Sequence, residues 1–130
     1  MGPVNWVAVF LAAALAVAVG IVWHGPLFRT GRPLLPDNSR SAGRYGLVAV
    51  VMLLAAVMMG HNFARLGSET LDGKPWLYFM MSGGLALFFT LPAVWLTHLR
   101  ARTEPMRGLI DCLFWLIAYL AMGLVFWAFG

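Results

Sequence analysis

The chain has 130 residues, of which 62% are hydrophobic and only 11% are charged, and its formal net charge is +4. A soluble domain of ordinary composition is about half apolar and about a quarter charged. So few charges cannot cover the surface of a water-soluble domain, and so high a hydrophobic fraction excludes an intrinsically disordered chain. The composition therefore predicts an integral membrane protein.

Four apolar stretches follow one another along the chain: residues 4–23, 45–64, 76–96 and 109–129. A helix rises about 1.5 Å per residue, so each stretch can cross a hydrocarbon layer about 30 Å thick. Backbone groups in lipid must form their hydrogen bonds within the segment, which favours helices over strands. We predict an all-α fold in which residues 1–130 form a single transmembrane four-helix bundle.

The first stretch lies near the N-terminus and is rich in alanine, as a secretory signal peptide would be. However, no Lys or Arg precedes its apolar run, and the run is longer than the core of a signal peptide. We therefore expect this stretch to be a retained transmembrane helix.

Basic residues are concentrated in two of the three connecting segments. Residues 29–44 hold four arginines and residues 98–107 hold three, whereas the middle connection holds only Arg65 and Lys74. Cytoplasmic loops carry an excess of Lys and Arg, so we expect these two segments to be cytoplasmic and both termini to lie outside. The expected location is the bacterial inner membrane.

The basic side chains of the first segment are expected to contact anionic lipid headgroups. These residues are Arg29, Arg32, Arg40 and Arg44. Since the four spans leave no folded basic domain, we expect no binding of nucleic acid.

Small residues recur at every fourth position of the first span, at Ala8, Ala12, Ala16 and Gly20. Residues at this spacing share one helix face, and small side chains let two helix backbones approach closely in a membrane. The pattern predicts a helix–helix seam, either within one protomer or between protomers.

Polar groups at membrane depth are costly and are the first place to look for function. Asp111 is the only charged residue in the fourth stretch. A structural role is favoured by the start of its helix and by Arg107, four residues earlier. The functional alternative is a proton or cation site with His24 and His98, which end the first and third spans at the same boundary. Sequence spacing leaves open whether these side chains meet.

A second polar group lies toward the outer ends of the first two spans. Asn5 and His61 are expected at similar depth, with Asn62 beside them. We expect Asn5 to form a hydrogen bond with His61 that clamps the two helices together. The alternative is the mouth of an outward-facing ligand site.

Two hydroxyl side chains lie deeper, at Thr90 in the third span and Tyr119 in the fourth. Pro92 cannot donate a hydrogen bond to the carbonyl of Phe88, so we expect a kink between these residues. A kink lined by Thr90 and Tyr119 would offer a place for a small-molecule cavity or a polar path.

Sequence motifs for catalysis are absent. There is no CxxC pair, no HExxH and no glycine-rich phosphate loop, and Cys112 is the single cysteine. We therefore expect no enzyme activity, no cofactor and no metal site, although a haem or metal redox site that uses His24 and His98 stays open as a third alternative.

Several short motifs also resemble a known family. They are Asn5-Trp6, then Gly20-Ile-Val-Trp23 with Pro26 and Phe28, then Arg107-Gly-Leu-Ile-Asp111 with Tyr119 and Gly123. In this order the chain resembles small bacterial membrane proteins catalogued as domain of unknown function 1761. The resemblance implies a four-helix membrane protein and no established activity. The family more often has Tyr where this chain has His24.

Two main functions remain open. The first is a homo-oligomeric protein of transport, channel-like or small-ligand-binding type, with a polar path marked by Asp111, Tyr119 and Thr90. The second is an accessory or assembly subunit that packs its small-residue face against a larger membrane complex. A protomer of four helices encloses too narrow a core for a pore of its own, so transport would require oligomerisation.

Overall fold

The structure is a computed structural model that describes residues 3–29 and 42–130. Within these two ranges the chain is almost entirely helical and contains no strand. Two of its elements are single π-helical turns, here named π1 and π2. In chain order the elements are α1 (Trp6–Val22), π1 (Trp23–Leu27), α2 (Ala42–Leu66), α3 (Ser68–Gly73), α4 (Trp76–Leu85), π2 (Ala86–Thr90), α5 (Leu91–Arg100) and α6 (Pro105–Phe129).

Four helical stretches are long and apolar enough to cross a membrane, which confirms the predicted fold. They are Trp6–Leu27, Gly43–Leu66, Trp76–Arg100 and Pro105–Phe129. The connection before α6 is shorter than the predicted loop 98–107, because α5 continues to Arg100 and Pro105 is already helical. Proline is well suited to the first turn of a helix, since its missing N–H would have no helical partner there.

Helices α1 and α6 lie at the centre of the bundle. Helix α1 packs against α2 and α6, and α6 packs also against α4 and α5. Ala8, Ala12 and Ala16 have no exposed surface, and Gly20 is buried as well. The small-residue seam predicted on α1 therefore lies within the protomer, where it lets α1 approach its neighbours closely.

A glycine also sets the contact between α6 and α4. A Cβ atom added at Gly123 would collide with the hydroxyl of Ser82 and would lie 3.0 Å from the carbonyl oxygen of Tyr78. Ser82 is fully buried on α4. Because no larger side chain fits without a shift of one backbone, Gly123 fixes the separation of these helices.

Both π turns occur beside prolines. In π2 the N–H of Leu91 donates to the carbonyl of Ala86, five residues earlier, directly before Pro92. A π turn therefore lies beside the place where the kink between Phe88 and Pro92 is predicted, and it accommodates a residue that cannot donate. In π1, which contains Pro26, the N–H of Phe28 donates to the carbonyl of Trp23 at 3.2 Å.

The clamp at the outer end differs from the prediction. The side-chain oxygen of Asn5 accepts a hydrogen bond from the N–H of Ala8 at 3.1 Å and so caps α1. The side-chain nitrogen of Asn5 donates to the carbonyl of Phe129 at 2.7 Å. This bond replaces the predicted bond to His61, which is exposed on α2 near the partly buried Asn62. Asn5 therefore joins α1 to α6 rather than to α2.

Replacement of Asn5 by alanine should weaken the bundle. Asn5→Ala removes both the cap of α1 and its bond to α6, so we expect the free energy of unfolding to fall by about 1–2 kcal/mol. Thermal unfolding in one detergent would measure the loss. Asn62→Ala, the same change on a partly buried site of α2, is the matched control, and an equal loss in both variants would contradict the role of Asn5.

Candidate functional site

The short turn between α5 and α6 brings their ends together at the end of the bundle that carries Arg100, Arg102 and Arg107, here called the basic end. The N–H of Ala101 still bonds the carbonyl of Thr97 at 3.0 Å, after which Arg102 adopts a positive φ of 52°. This left-handed conformation reverses the chain before Pro105 starts α6.

A glycine lets the two helices approach behind this turn. A Cβ atom at Gly108 would lie 3.0 Å from the ring of Trp95 and 3.4 Å from the Cβ of His98. With Gly108 in place, the His98 side chain lies against the first turns of α6. Asp111, three residues after Gly108, then falls on the same face of α6, since residues three apart are neighbours on a helix.

His98 and Asp111 form the shortest polar contact between α5 and α6. Nε2 of His98 lies 2.7 Å from Oδ2 of Asp111. On the other side of the ring, Nδ1 lies 2.6 Å from the hydroxyl oxygen of Thr103. The same hydroxyl lies 3.2 Å from the backbone carbonyl of His98. Both ring nitrogens of His98 therefore have a hydrogen-bond partner.

The hydroxyl of Thr103 can serve His98 with or without an extra proton. When the imidazole is neutral with its proton on Nε2, Nε2–H donates to Asp111 and the Thr103 hydroxyl donates to Nδ1. When the imidazole is protonated, Nδ1–H donates to the Thr103 oxygen, and the hydroxyl turns to donate to the His98 carbonyl. Neither protonation state leaves a ring nitrogen without a hydrogen-bond partner, so both states of His98 are compatible with the same positions of Thr103 and Asp111.

His24 approaches the same carboxylate from π1. Its Nδ1 lies 3.8 Å from Oδ1 of Asp111, and its ring meets the edge of Phe114 at a centroid distance of 4.9 Å. The neighbouring Trp23 donates its indole N–H to the carbonyl of Ile110 at 3.1 Å. The π turn thus carries two consecutive side chains that both dock on the start of α6.

The three side chains form one cluster, here called the His–Asp cluster (His24, His98 and Asp111). The side chains are 10%, 20% and 34% exposed respectively. The histidines are therefore sheltered while the carboxylate keeps contact with the exterior. Because the carboxylate and the two imidazoles are partly buried, the effective dielectric constant around them is lower than in water. Charges on these groups therefore interact more strongly than they would on a solvent-exposed surface.

Arg107 does not take the place predicted for it. The ion pairs of Asp111 among the described residues are those with His24 and His98, and Arg107 is exposed on α6. The structural role that the sequence suggests for Asp111 through Arg107 is therefore replaced by contacts with histidines on two other elements.

The deeper hydroxyl residues do not join this cluster. Tyr119 lies eight residues after Asp111, about 12 Å along α6, and its half-buried ring packs on Trp115 at 6.0 Å. Thr90 is half-buried in π2. A cavity of about 430 Å³ lies at the opposite end of the bundle and is lined by other residues. The polar path predicted along Asp111, Tyr119 and Thr90 stays a prediction.

Within the cluster, the polar groups of His98 and Asp111 are hydrogen-bonded to each other. Nε2 of His98 is hydrogen-bonded to the carboxylate of Asp111, so these two potential metal ligands face each other rather than a common point. Across residues 3–29 and 42–130, no group of three or more His, Cys, Asp and Glu side chains has the arrangement of a metal site. Cys112, the neighbour of Asp111, directs its thiol toward the carbonyl of Leu91 at 3.8 Å.

Thr103 and Trp23 are the site residues that the sequence analysis does not predict. In the sequence, Trp23 stands out only as part of the motif Gly20-Ile-Val-Trp23. The sequence feature that could have pointed to Thr103 is its position five residues after His98. The role of Trp23 depends on π1, which spacing alone does not reveal.

Loss of the Thr103 hydroxyl should destabilise the cluster. In Thr103→Val, Nδ1 of the partly buried His98 loses its partner, and we expect the free energy of unfolding to fall by about 1–2 kcal/mol. Thr97→Val is the matched control, because the hydroxyl of Thr97 bonds only Ala93 of its own helix at 2.8 Å and is exposed. Melting temperatures measured in one detergent should fall further for Thr103→Val, and the opposite order would contradict this role.

The fold and the site define the class of protein: a multi-pass helical membrane protein with a sheltered His–Asp cluster at its basic end. Over residues 7–127 the chain matches the family described as protein of unknown function (DUF1761), and it belongs to that family. Neither a curated protein nor a solved structure matches it. The family assignment confirms the resemblance seen in the sequence.

Proposed function

We propose that this protein handles protons as part of a transport-type function, and that the His–Asp cluster accepts and releases the proton. The observation that carries the proposal is the hydrogen bond of 2.7 Å between His98 and Asp111, backed by a hydroxyl that suits both charge states of the ring. Histidine is the side chain that changes charge near neutral pH, and carboxylate–histidine chains are typical of proton relays in membranes.

The place of the cluster supports this role. It lies at the basic end, which the distribution of arginines predicts to be cytoplasmic. Asp111 keeps a third of its side-chain surface exposed at this end of the bundle. His24, on the other side, is almost fully sheltered and lies 3.8 Å from the second carboxylate oxygen. A proton entering at Asp111 can therefore pass along the hydrogen bond to His98, whereas His24 lies beyond hydrogen-bond distance of the carboxylate.

A path for transport would have to run between protomers. Met52, Met59 and Met122 fill the centre of the bundle with at most 2% of their surface exposed. Such close packing among the described residues closes the axis of the protomer at these three positions. We therefore propose a homo-oligomer, in agreement with the size of the chain, and native mass spectrometry of protein released from its membrane would count the subunits.

Proton movement by the purified protein is the direct test. The protein is reconstituted in potassium-loaded liposomes that contain a pH-sensitive dye. Efflux of potassium through valinomycin makes the liposome lumen electrically negative, and the protein should then let protons enter and acidify the lumen. His98→Gln should reduce this flux at least tenfold, because the glutamine side chain cannot take up a proton. His61→Gln, at the exposed histidine of α2, should keep it. A flux equal to that of empty liposomes in the wild-type protein would overturn the proposal.

An accessory subunit of a larger membrane complex is the alternative function. The small-residue face of α1 does not support it, because that face is covered within the protomer. Absence of proton flux, together with release of the chain as part of a larger complex, would favour this alternative.

Contact with anionic lipids is proposed for the basic end. Arg29 and Arg44 are exposed there, whereas Arg32 and Arg40 lie outside the described residues. Each basic side chain near a surface of anionic lipid contributes about 1 kcal/mol of attraction.

A further inference from the structure

A cavity of about 430 Å³ lies at the end of the bundle opposite the His–Asp cluster. It is here called the aromatic cavity and is defined by Asn5, Phe63, Ala64, Ser68, Tyr78 and Phe126, which line it together with their neighbours. These residues come from the start of α1, the end of α2, and from α3, α4 and α6. Five helical elements thus converge on one space that the proposed proton chemistry does not use.

Three aromatic rings form the floor of the aromatic cavity. Phe63 lies 4.8 Å from Tyr78 and 5.2 Å from Phe126 between ring centroids, with interplanar angles near 50°. The three side chains are 5%, 7% and 2% exposed. Tilted rings in contact hold one another in place and present faces and edges to a further ring, which prefers similar offset or edge contacts.

Glycine keeps this space open beside the rings. A Cβ atom at Gly60 would lie 2.9 Å from Val9 and 3.2 Å from Phe126, and Gly67 has a positive φ of 81° at the end of α2. Gly67 starts the short helix α3, whose Leu71 is 4% exposed and closes one wall. The cavity is therefore shaped by backbone positions that larger residues could not occupy without strain.

The lining carries hydrogen-bonding groups and no charged side chain. None of its residues is Asp, Glu, Lys, Arg or His. The hydroxyl of Tyr78 lies beside Gly130, which also lines the cavity, and no other described residue forms a hydrogen bond with it. Asn5 and Ser68, both exposed, add an amide and a second hydroxyl at the rim. A bound molecule would therefore meet the three rings, the phenolic hydroxyl of Tyr78 and a polar rim.

We propose that the aromatic cavity binds a neutral aromatic small molecule of about two rings that carries one polar group. An engineered cavity of about 150 Å³ holds benzene, so the larger space here suits a bicyclic molecule. The lining has no Asp, Glu, Lys, Arg or His side chain, which favours an uncharged ligand, because a charged one would be desolvated without a partner. The phenolic hydroxyl of Tyr78 would fix its orientation, as a few placed polar groups do in ligand pockets. This site is independent of the His–Asp cluster.

Binding of 2-naphthol tests the proposal. This probe is neutral at pH 7, bicyclic and fluorescent, and titration into protein in lipid nanodiscs should show saturable binding of one molecule per protomer. Ala64→Phe places a ring in the cavity and should abolish saturable binding. Ala14→Phe, the same change at an exposed position of α1 outside the lining, should retain it. Asp111→Asn should leave binding unchanged, which separates this proposal from the proton function.

An isosteric variant distinguishes loss of a contact with the ligand from loss of the fold. Tyr78→Phe keeps the ring and removes only the hydroxyl, so affinity should fall about three- to tenfold while the melting temperature stays close to that of the wild type. Equal affinity in Tyr78→Phe would overturn the assignment of the hydroxyl to the ligand. Non-saturable uptake that is equal in empty nanodiscs and all variants would mean partition into lipid only, and would overturn the site.

Discussion

Asp111→Asn should abolish proton flux while leaving the protein folded. The amide oxygen of asparagine can still accept a hydrogen bond from Nε2–H of His98. The contact of 2.7 Å between α5 and α6 is therefore replaced by a hydrogen bond between neutral groups. The amide cannot hold a negative charge or take up a proton, so the cluster loses the group that joins the two imidazoles. We expect at least a tenfold loss of flux and a change of only a few degrees in melting temperature.

Glu104→Gln is the matched control for this experiment. Glu104 is an exposed carboxylate at the same end of the bundle, directly before α6, and its side chain makes no capping bond. Its replacement removes one negative charge without touching the cluster and should leave the flux unchanged. Equal losses in the two variants would mean that flux depends on the surface charge of the basic end. A large fall in melting temperature in Asp111→Asn alone would instead show a structural anchor.

Gly123→Ala should cause the largest loss of stability among single-methyl changes. The added carbon would overlap the hydroxyl of Ser82 and press on the carbonyl of Tyr78, both on α4. Forcing a methyl group into a closely packed contact costs about 1–3 kcal/mol, because a backbone or a buried side chain must move. Thermal unfolding of the detergent-solubilised protein should show this as a clear decrease in melting temperature.

Two further variants separate the clash from the general effect of adding alanine. Gly84→Ala changes a glycine of α4 that has open space around its missing Cβ, so stability should stay equal or rise slightly. In Ser82→Gly/Gly123→Ala the hydroxyl and its carbon are removed, so part of the loss should be recovered. An additive effect of the two substitutions would contradict direct contact between positions 82 and 123.

The architecture could be predicted from the sequence because its signal is simple. Four apolar stretches of membrane length, with basic residues concentrated in two of the three connections, are compatible with only one fold class. Proline gave the approximate place of the break in the third span, where π2 precedes Pro92. The small residues at Ala8, Ala12 and Ala16 marked a buried face, though not which helices would cover it.

The site could be predicted only as a set of candidates. Span ends placed His24, His98 and Asp111 at one depth, but depth says nothing about rotation around a helix axis. Their convergence depends on the π turn that carries His24 and on the close approach that Gly108 allows beside His98. The same limit explains Asn5, whose depth suggested His61 while the rotation of α1 directs it to α6.

The central claim is that one carboxylate couples two imidazoles, and nitrogen NMR of the histidine rings in lipid bilayers tests it most directly. The chain has three histidines, and the exposed His61 at the other end serves as an internal reference. We predict that Asp111→Asn shifts the ring-nitrogen signals of both His24 and His98, recorded at one pH, and leaves those of His61 unaltered. Unchanged ring-nitrogen signals of His24 and His98 in Asp111→Asn would contradict the account.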